Sequence, residues 1–228
     1  MVTDRDMKLV RWIGRHGAVQ TRHLMTRYGM GRTATYRRVH ELVACGLVRR
    51  HRLLYNDGGL LTTTADGLRC ADLEPLKPAR VSLAQVPHML VSATLAAMLE
   101  PRLVDTTLLS DREHRAAENA AGQPIASAIL GPPHDGRSRL HRPDFALVEA
   151  DGENVIAIEV ELTLKTKARL ERILRGYLRN QNVSRIRYYA PTNIGEAVQR
   201  AARAVGAERL LELAPLPAAG DSISRGRP

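Results

Sequence analysis

The stretch VIAIEVEL, residues 155–162, sets two carboxylates, Glu159 and Glu161, two positions apart in an otherwise apolar run. Side chains alternate along a strand, so Val155, Ala157, Glu159 and Glu161 share one face and Ile156, Ile158, Val160 and Leu162 the other. A carboxylate in a core is costly without a partner. Either this strand is half-solvated in an antiparallel sheet, with its acidic face wet, or the fold supplies partners for two buried acids.

The flanking order favours a site. RPDFALVEA (142–150) reads as a short strand opened by Asp144, and 152–154 as the turn into the acidic strand. Residues 165–180 read as a helix with Leu170, Ile173, Leu174, Tyr177 and Leu178 inward. A strand at 185–191, a helix at 194–206 and a last strand at 209–216 follow. A hairpin continued by alternating helix and strand predicts a mixed α/β sandwich. In it, Asp144 lies opposite Glu159 on the neighbouring strand. Clustered carboxylate oxygens suit a hard cation, Mg2+ or Mn2+, which could activate a water for attack on a phosphodiester. Upstream, 103–109 reads as a strand. Residues 117–142, rich in Gly, Pro, Ala, His and Arg without a period, predict a mobile loop.

The basic charge lies elsewhere. Residues 1–80 carry 15 Lys and Arg against 7 acids, and the remainder 19 against 17. Between Met7 and Arg52 there are 11 Lys and Arg and one acid, Glu41. Such a field attracts polyanions. The periodicity predicts a helix over 4–16 with Leu9, Trp12 and Ile13 inward, capped by Thr3 or Asp4. A second is predicted over 20–28 (Leu24, Met25, Tyr28), and a third over 32–45 (Tyr36, Val39, Leu42, Val43), with Gly46 as its left-handed cap. LVRRHRLL and LLTTT around Asn56-Asp57-Gly58-Gly59 predict a hairpin. This order over 4–73 resembles a winged helix-turn-helix. The resemblance places Arg32, Thr33, Arg37 and Arg38 of the third helix against the major groove, and Arg49, Arg50 and Arg52 of the hairpin against phosphate or the minor groove. The plainer reading is a solvated basic face. Sequence-specific RNA binding is less favoured because stacking aromatics are scarce.

Three prolines in 73–87 predict a boundary. The predicted layout is a DNA-binding domain over 1–74, a linker over 75–87, an α/β domain over 88–216 and a disordered basic tail over 217–228. The apolar helix 88–100 either opens the second domain or dimerises. Cys45 and Cys70 form no metal-type pair or disulfide framework. The absence of a long apolar run and of a secretory N-terminus predicts no membrane segment and a cytoplasmic protein.

Pro143-Asp144 followed by Glu159-Val160-Glu161 resembles the PD-(D/E)xK nuclease superfamily. That resemblance implies Asp144 and Glu159 as metal ligands. Glu161 stands where the superfamily has a catalytic lysine, and an anion cannot supply that help. Lys165 or Lys167 could reach the site instead, and Glu113 could match an extra helix-borne acid. The catalytic set implied is Asp144, Glu159, Glu161 and Lys165. The whole chain, with Glu-x-Glu-Leu-Thr-x-Lys from Glu159 to Lys165, resembles the replication-relaxation proteins of mobile elements over about 4–215. The fold implied is α+β, a winged helix-turn-helix followed by a PD-(D/E)xK-like sandwich. The function implied is a double-stranded DNA-binding accessory factor in replication, relaxation or transfer, with a relaxase or replication protein as partner. A homodimer would read two-fold related half-sites. A metal-dependent endonuclease and a winged-helix transcriptional regulator are the alternatives.

Overall fold

Thr3 and Asp6 start the first helix by capping each other. The Thr3 hydroxyl accepts the Asp6 N–H, and the Asp6 carboxylate accepts the Thr3 N–H at 2.9 Å. In the computed structural model, which describes residues 2–52, 59–134, 137–150, 152 and 154–217, this helix is α1 (Asp4–His16). Leu9, Trp12 and Ile13 are buried as their spacing predicts. A short strand β1 (Val19–Gln20) leads into α2 (Thr21–Tyr28), then α3 (Arg32–Ala44).

The buried face of α3 is Thr35, Val39 and Leu42, whereas Tyr36, predicted inward, is 43% exposed. Thr35 can enter the core because its hydroxyl donates to the Gly31 carbonyl at 2.8 Å. That rotates the apolar stripe one position from the count of hydrophobic residues. Gly46 ends the helix at φ 72°, with the Leu47 N–H donating to Leu42 O and the Gly46 N–H to Val43 O.

Strands β2 (Val48–His51) and β3 (Leu60–Thr63) pair antiparallel, and β3 also pairs with β1, giving the order β1-β3-β2. Asn56, Asp57 and Gly58 of the predicted turn lie outside the described residues, as does the tail 218–228. Helix α4 (Ala65–Cys70) follows, capped by the Thr64 hydroxyl.

Helix α5 (Val86–Leu99) departs from the predicted layout. The described chain forms two compact units that divide between Leu103 and Val104, and α5 packs on α2 and β1 of the first. Leu60, Val86 and Leu90 form one cluster there. The apolar 88–100 segment therefore completes the first unit.

The second unit contains β4 (Thr106–Ser110), α6 (Asp111–Ala121), β5 (Ala128–His134), β6 (Arg137–His141), β7 (Phe145–Glu149), β8 (Val155–Val160), α7 (Lys167–Leu178), β9 (Val183–Tyr189), α8 (Thr192–Val205) and β10 (Leu211–Ala214). Its main sheet has the order β10-β9-β8-β7-β4. β7 pairs antiparallel with both β4 and β8, and β8, β9 and β10 run parallel, joined through α7 and α8. The architecture is α+β with a mixed sheet.

Leu170, Ile173, Leu174 and Tyr177 of α7 are buried with Ala157, Ile186 and Tyr188 of the sheet and Ile194 and Val198 of α8. Leu178, expected inward, is 43% exposed. Residues 117–142, predicted to be a mobile loop, instead hold the end of α6 and the β5–β6 hairpin. Hydrogen bonds rather than periodicity order them. The buried Glu118 carboxylate accepts the N–H groups of Ile125, Ala126 and Ser127 at 3.0, 3.1 and 3.0 Å. Asn180 donates to the carbonyls of Ile125 and Ser127. No helix among the described residues is long and apolar enough to cross a membrane.

Candidate functional site

The outward face of α3 is built by the same rotation that buries Thr35. Arg32, Thr33 and Arg37 are exposed, and among the described residues neither arginine is paired with an acid. The Arg32 guanidinium lies 5.7 Å from the centre of the Tyr36 ring, an arrangement that holds the cation at the first turn of the helix. Arg38 differs. It is half-buried, 2.9 Å from the Glu41 carboxylate and 3.5 Å from that of Asp6, and so ties α3 to the start of α1.

On the hairpin, Arg49 and Arg52 are exposed, while Arg50 lays its stem across Gly59, where an added Cβ would stand 2.7 Å from Arg50 Cγ. The fold thus brings Arg32, Thr33 and Arg37 onto one helix face and Arg49, Arg50 and Arg52 onto one strand end. It withdraws Arg38 into an ion-pair network.

Two groups behind this surface carried no sequence signal. Glu100, its side chain 5% exposed, accepts from Trp12 Nε1 at 2.9 Å and Arg27 Nε at 2.6 Å, and lies 3.0 Å from His16 Nε2 and 3.2 Å from Arg15. Burial works against its ionisation, but His16, Arg15 and Arg27 outweigh burial and bring its pKa down to about 2. His23 is buried between α2 and α5. Its Nδ1 accepts the Gln20 N–H at 3.0 Å, which leaves the proton on Nε2, 3.2 Å from the Thr94 hydroxyl. Burial, then Arg22 and His16, push its pKa down to about 3, so it stays neutral. Both contacts reach elements some 70 or more positions away in sequence, which local pattern cannot show.

In the second unit, the acidic face of β8 is not wet. Glu159 and Glu161 are each 4% exposed, so the fold supplies partners. Glu159 Oε1 accepts from His141 Nε2 at 2.8 Å and from the Tyr177 hydroxyl. Burial opposes ionisation of Glu159, yet His141, Tyr177 and Lys165 together hold its carboxyl below the usual range. The same contact raises His141 above its ordinary value, against the effect of burial. Burial and Glu159 keep Tyr177 protonated as the donor.

Asp144 stands one residue before β7. Its N–H donates to the Ile158 carbonyl and its Oδ2 accepts the Val160 N–H at 2.7 Å, which places it opposite Glu159 as the sequence predicts. Glu161 is ion-paired with Lys165, carried on the loop between β8 and α7. Burial lowers the Lys165 pKa, and Glu159 and Asp144 oppose that shift. Tyr188, paired in register with Glu159 on β9, is 1% exposed, and its hydroxyl has no hydrogen-bond partner among the described residues.

The structure therefore brings together Asp144, Glu159, Glu161 and Lys165, and adds His141, Tyr177 and Tyr188. His141 lies three positions before Asp144, and Tyr177 was placed inward without a role. The Glu113 carboxylate is used within its own helix, accepting the Ser110 N–H at 3.0 Å and hydroxyl at 2.9 Å. Lys167 is exposed and lies 3.8 Å from Glu171, on the helix rather than in the site.

Asp144, Glu159 and Glu161 each already accept from a protein donor. Among the described residues no three His, Cys, Asp or Glu side chains are grouped to hold a metal ion. One oxygen of each carboxylate is thus taken by a protein donor, and the basic groups beside them are Lys165 and His141. No family model, curated protein or solved structure matches the chain.

Proposed function

We propose that the chain is a sequence-specific double-stranded DNA-binding protein of a plasmid, integrative element or phage. In this reading it is an accessory factor in replication, relaxation or transfer, working with a relaxase or replication protein. The observation that carries it is the outward face of α3, where Arg32, Thr33 and Arg37 stand exposed and free of acid partners among the described residues. The order α1, β1, α2, α3, β2, β3, with the sheet order β1-β3-β2, supports reading the first unit as a winged helix-turn-helix. In that geometry the start of α3 meets base edges and the hairpin arginines meet phosphate.

The second unit supports a PD-(D/E)xK-like reading through three antiparallel strands, a helix and a parallel strand, with Asp144 opposite Glu159. We read it as a module that has kept the nuclease shape without cleaving, because Glu161 replaces the catalytic lysine. Metal-dependent nicking is the second reading, favoured by the juxtaposition of Asp144 and Glu159.

Selection from a random duplex pool should return one discrete site. Arg37→Ala should weaken binding to it by about tenfold, the 1–3 kcal/mol of a base contact. Unchanged affinity in an Arg32→Ala/Arg37→Ala double variant would remove the assignment of α3. Supercoiled plasmid with Mg2+ or Mn2+ should stay intact. Nicking lost in Asp144→Asn would establish the second reading.

A further inference from the structure

We propose that Lys165 is the built-in cation of the acidic site: its ammonium supplies the positive charge that Asp144, Glu159 and Glu161 require, and a divalent ion binds there only when that ammonium is removed. The inference concerns the second unit alone and does not rest on the DNA-binding reading.

Two buried carboxylates, Glu159 and Glu161, with the half-buried Asp144 beside the end of β8, cannot stand as anions without compensation. Lys165 reaches them from four positions beyond Glu161. It is ion-paired to that carboxylate and within electrostatic reach of Glu159 and Asp144, with only 20% of its side chain exposed. His141 supplies a second compensating group, at 2.8 Å from Glu159. One oxygen of each carboxylate already has a protein donor, and an incoming dication would meet the ammonium paired with Glu161. An ammonium carries charge but has no open coordination position, so it cannot bind and ionise a water as a metal does.

The buried Tyr188 hydroxyl is the second observation. Tyr188 is in register with Glu159, and its hydroxyl has no hydrogen-bond partner among the described residues. A hydrated cation admitted beside Glu159 would bring water to it.

The test is Mn2+ titration of the full-length protein without DNA, read by the paramagnetic resonance of free Mn2+ and by the thermal midpoint. The wild type should take up no Mn2+ at millimolar concentration. Lys165→Met should gain one site per chain, at least tenfold tighter than any wild-type binding, with a rise in thermal midpoint on adding Mn2+. Adding Asp144→Asn to it should abolish both. If Lys165→Met does not fold, Glu161→Gln/Lys165→Met removes one charge of each sign and should show the same gain. Wild-type binding of Mn2+ that Asp144→Asn abolishes would overturn the proposal. So would a folded lysine variant that gains no site.

Discussion

At the scale of single residues, the buried histidine between α2 and α5 sets how the first unit meets acid. His23 has a folded pKa of about 3 against an ordinary 6.5. The unfolded chain therefore binds a proton near pH 6.5 that the folded chain refuses, and stability falls as pH falls from about 6.5 toward 3. Between pH 7 and pH 5 the loss from this residue alone is about 2 kcal/mol. Urea unfolding followed by Trp12 fluorescence should show that loss in the wild type and a much smaller one in His23→Gln. Glu100 acts lower. Its carboxyl is held at about 2, so its contribution is present above the ordinary carboxylate range and disappears only as pH falls toward 2. The neighbouring arginines Arg37 and Arg38 should separate cleanly. Arg37→Ala is expected to weaken DNA binding at unchanged stability. Arg38→Ala loses the pairing with Asp6 and Glu41, and should lower stability by up to about 1 kcal/mol for a partly exposed ion pair. Denaturation midpoints of the two variants, set beside their affinities, check this.

At the scale of elements, Gly67 shows how closely α4 is set against the start of β2. A Cβ there would stand 2.2 Å from the Leu47 carbonyl oxygen and 2.6 Å from Thr63 Cγ2, so backbone must move. Gly67→Ala should cost about 1–3 kcal/mol although alanine is the better helix former. A chemical melt on the purified variant measures it. Most elements were legible in the sequence because their signals are local: the Thr3 cap, the apolar spacing of α1 and α7, Gly46 after α3, and the alternation of β8. Two of the misreadings share a physical origin, hydrogen-bond partners that hydrophobic spacing does not register. Thr35 rather than Tyr36 faces the core because a hydroxyl can satisfy itself on a carbonyl one turn back. The 117–142 segment is ordered by Glu118 and Asn180 rather than by any periodicity of its own. At the acidic site, the opposition of Asp144 and Glu159 followed from strand order. The partners that make it tolerable did not, because His141 and Tyr177 reach Glu159 from 18 residues away on either side.

At the scale of the molecule, the question is where the chain can be cut. Pro75, Pro78 and Pro87 suggest a linker ending before the apolar helix, whereas the compact units divide after Leu103. These two boundaries make opposite predictions. A fragment of residues 1–87 lacks Thr94 and Glu100, so it strips His23 of one partner and leaves Trp12, Arg15 and Arg27 without the buried carboxylate they share. It also exposes the face of α2 and β1 that α5 covers. A fragment of residues 1–103 keeps all of these. The longer fragment should unfold in one cooperative transition with a blue-shifted Trp12 emission, and the shorter should show neither. If the shorter fragment folds as well as the longer, Glu100 and α5 do not hold the first unit together. The longer fragment also isolates the DNA-facing arginines. With the three hairpin arginines on phosphate, its logarithmic salt dependence should have a slope of about −2.7, and each arginine removed from the hairpin should reduce it by about 0.9. A slope that stays the same in Arg49→Ala/Arg52→Ala would take those two residues off the DNA while leaving α3 in place.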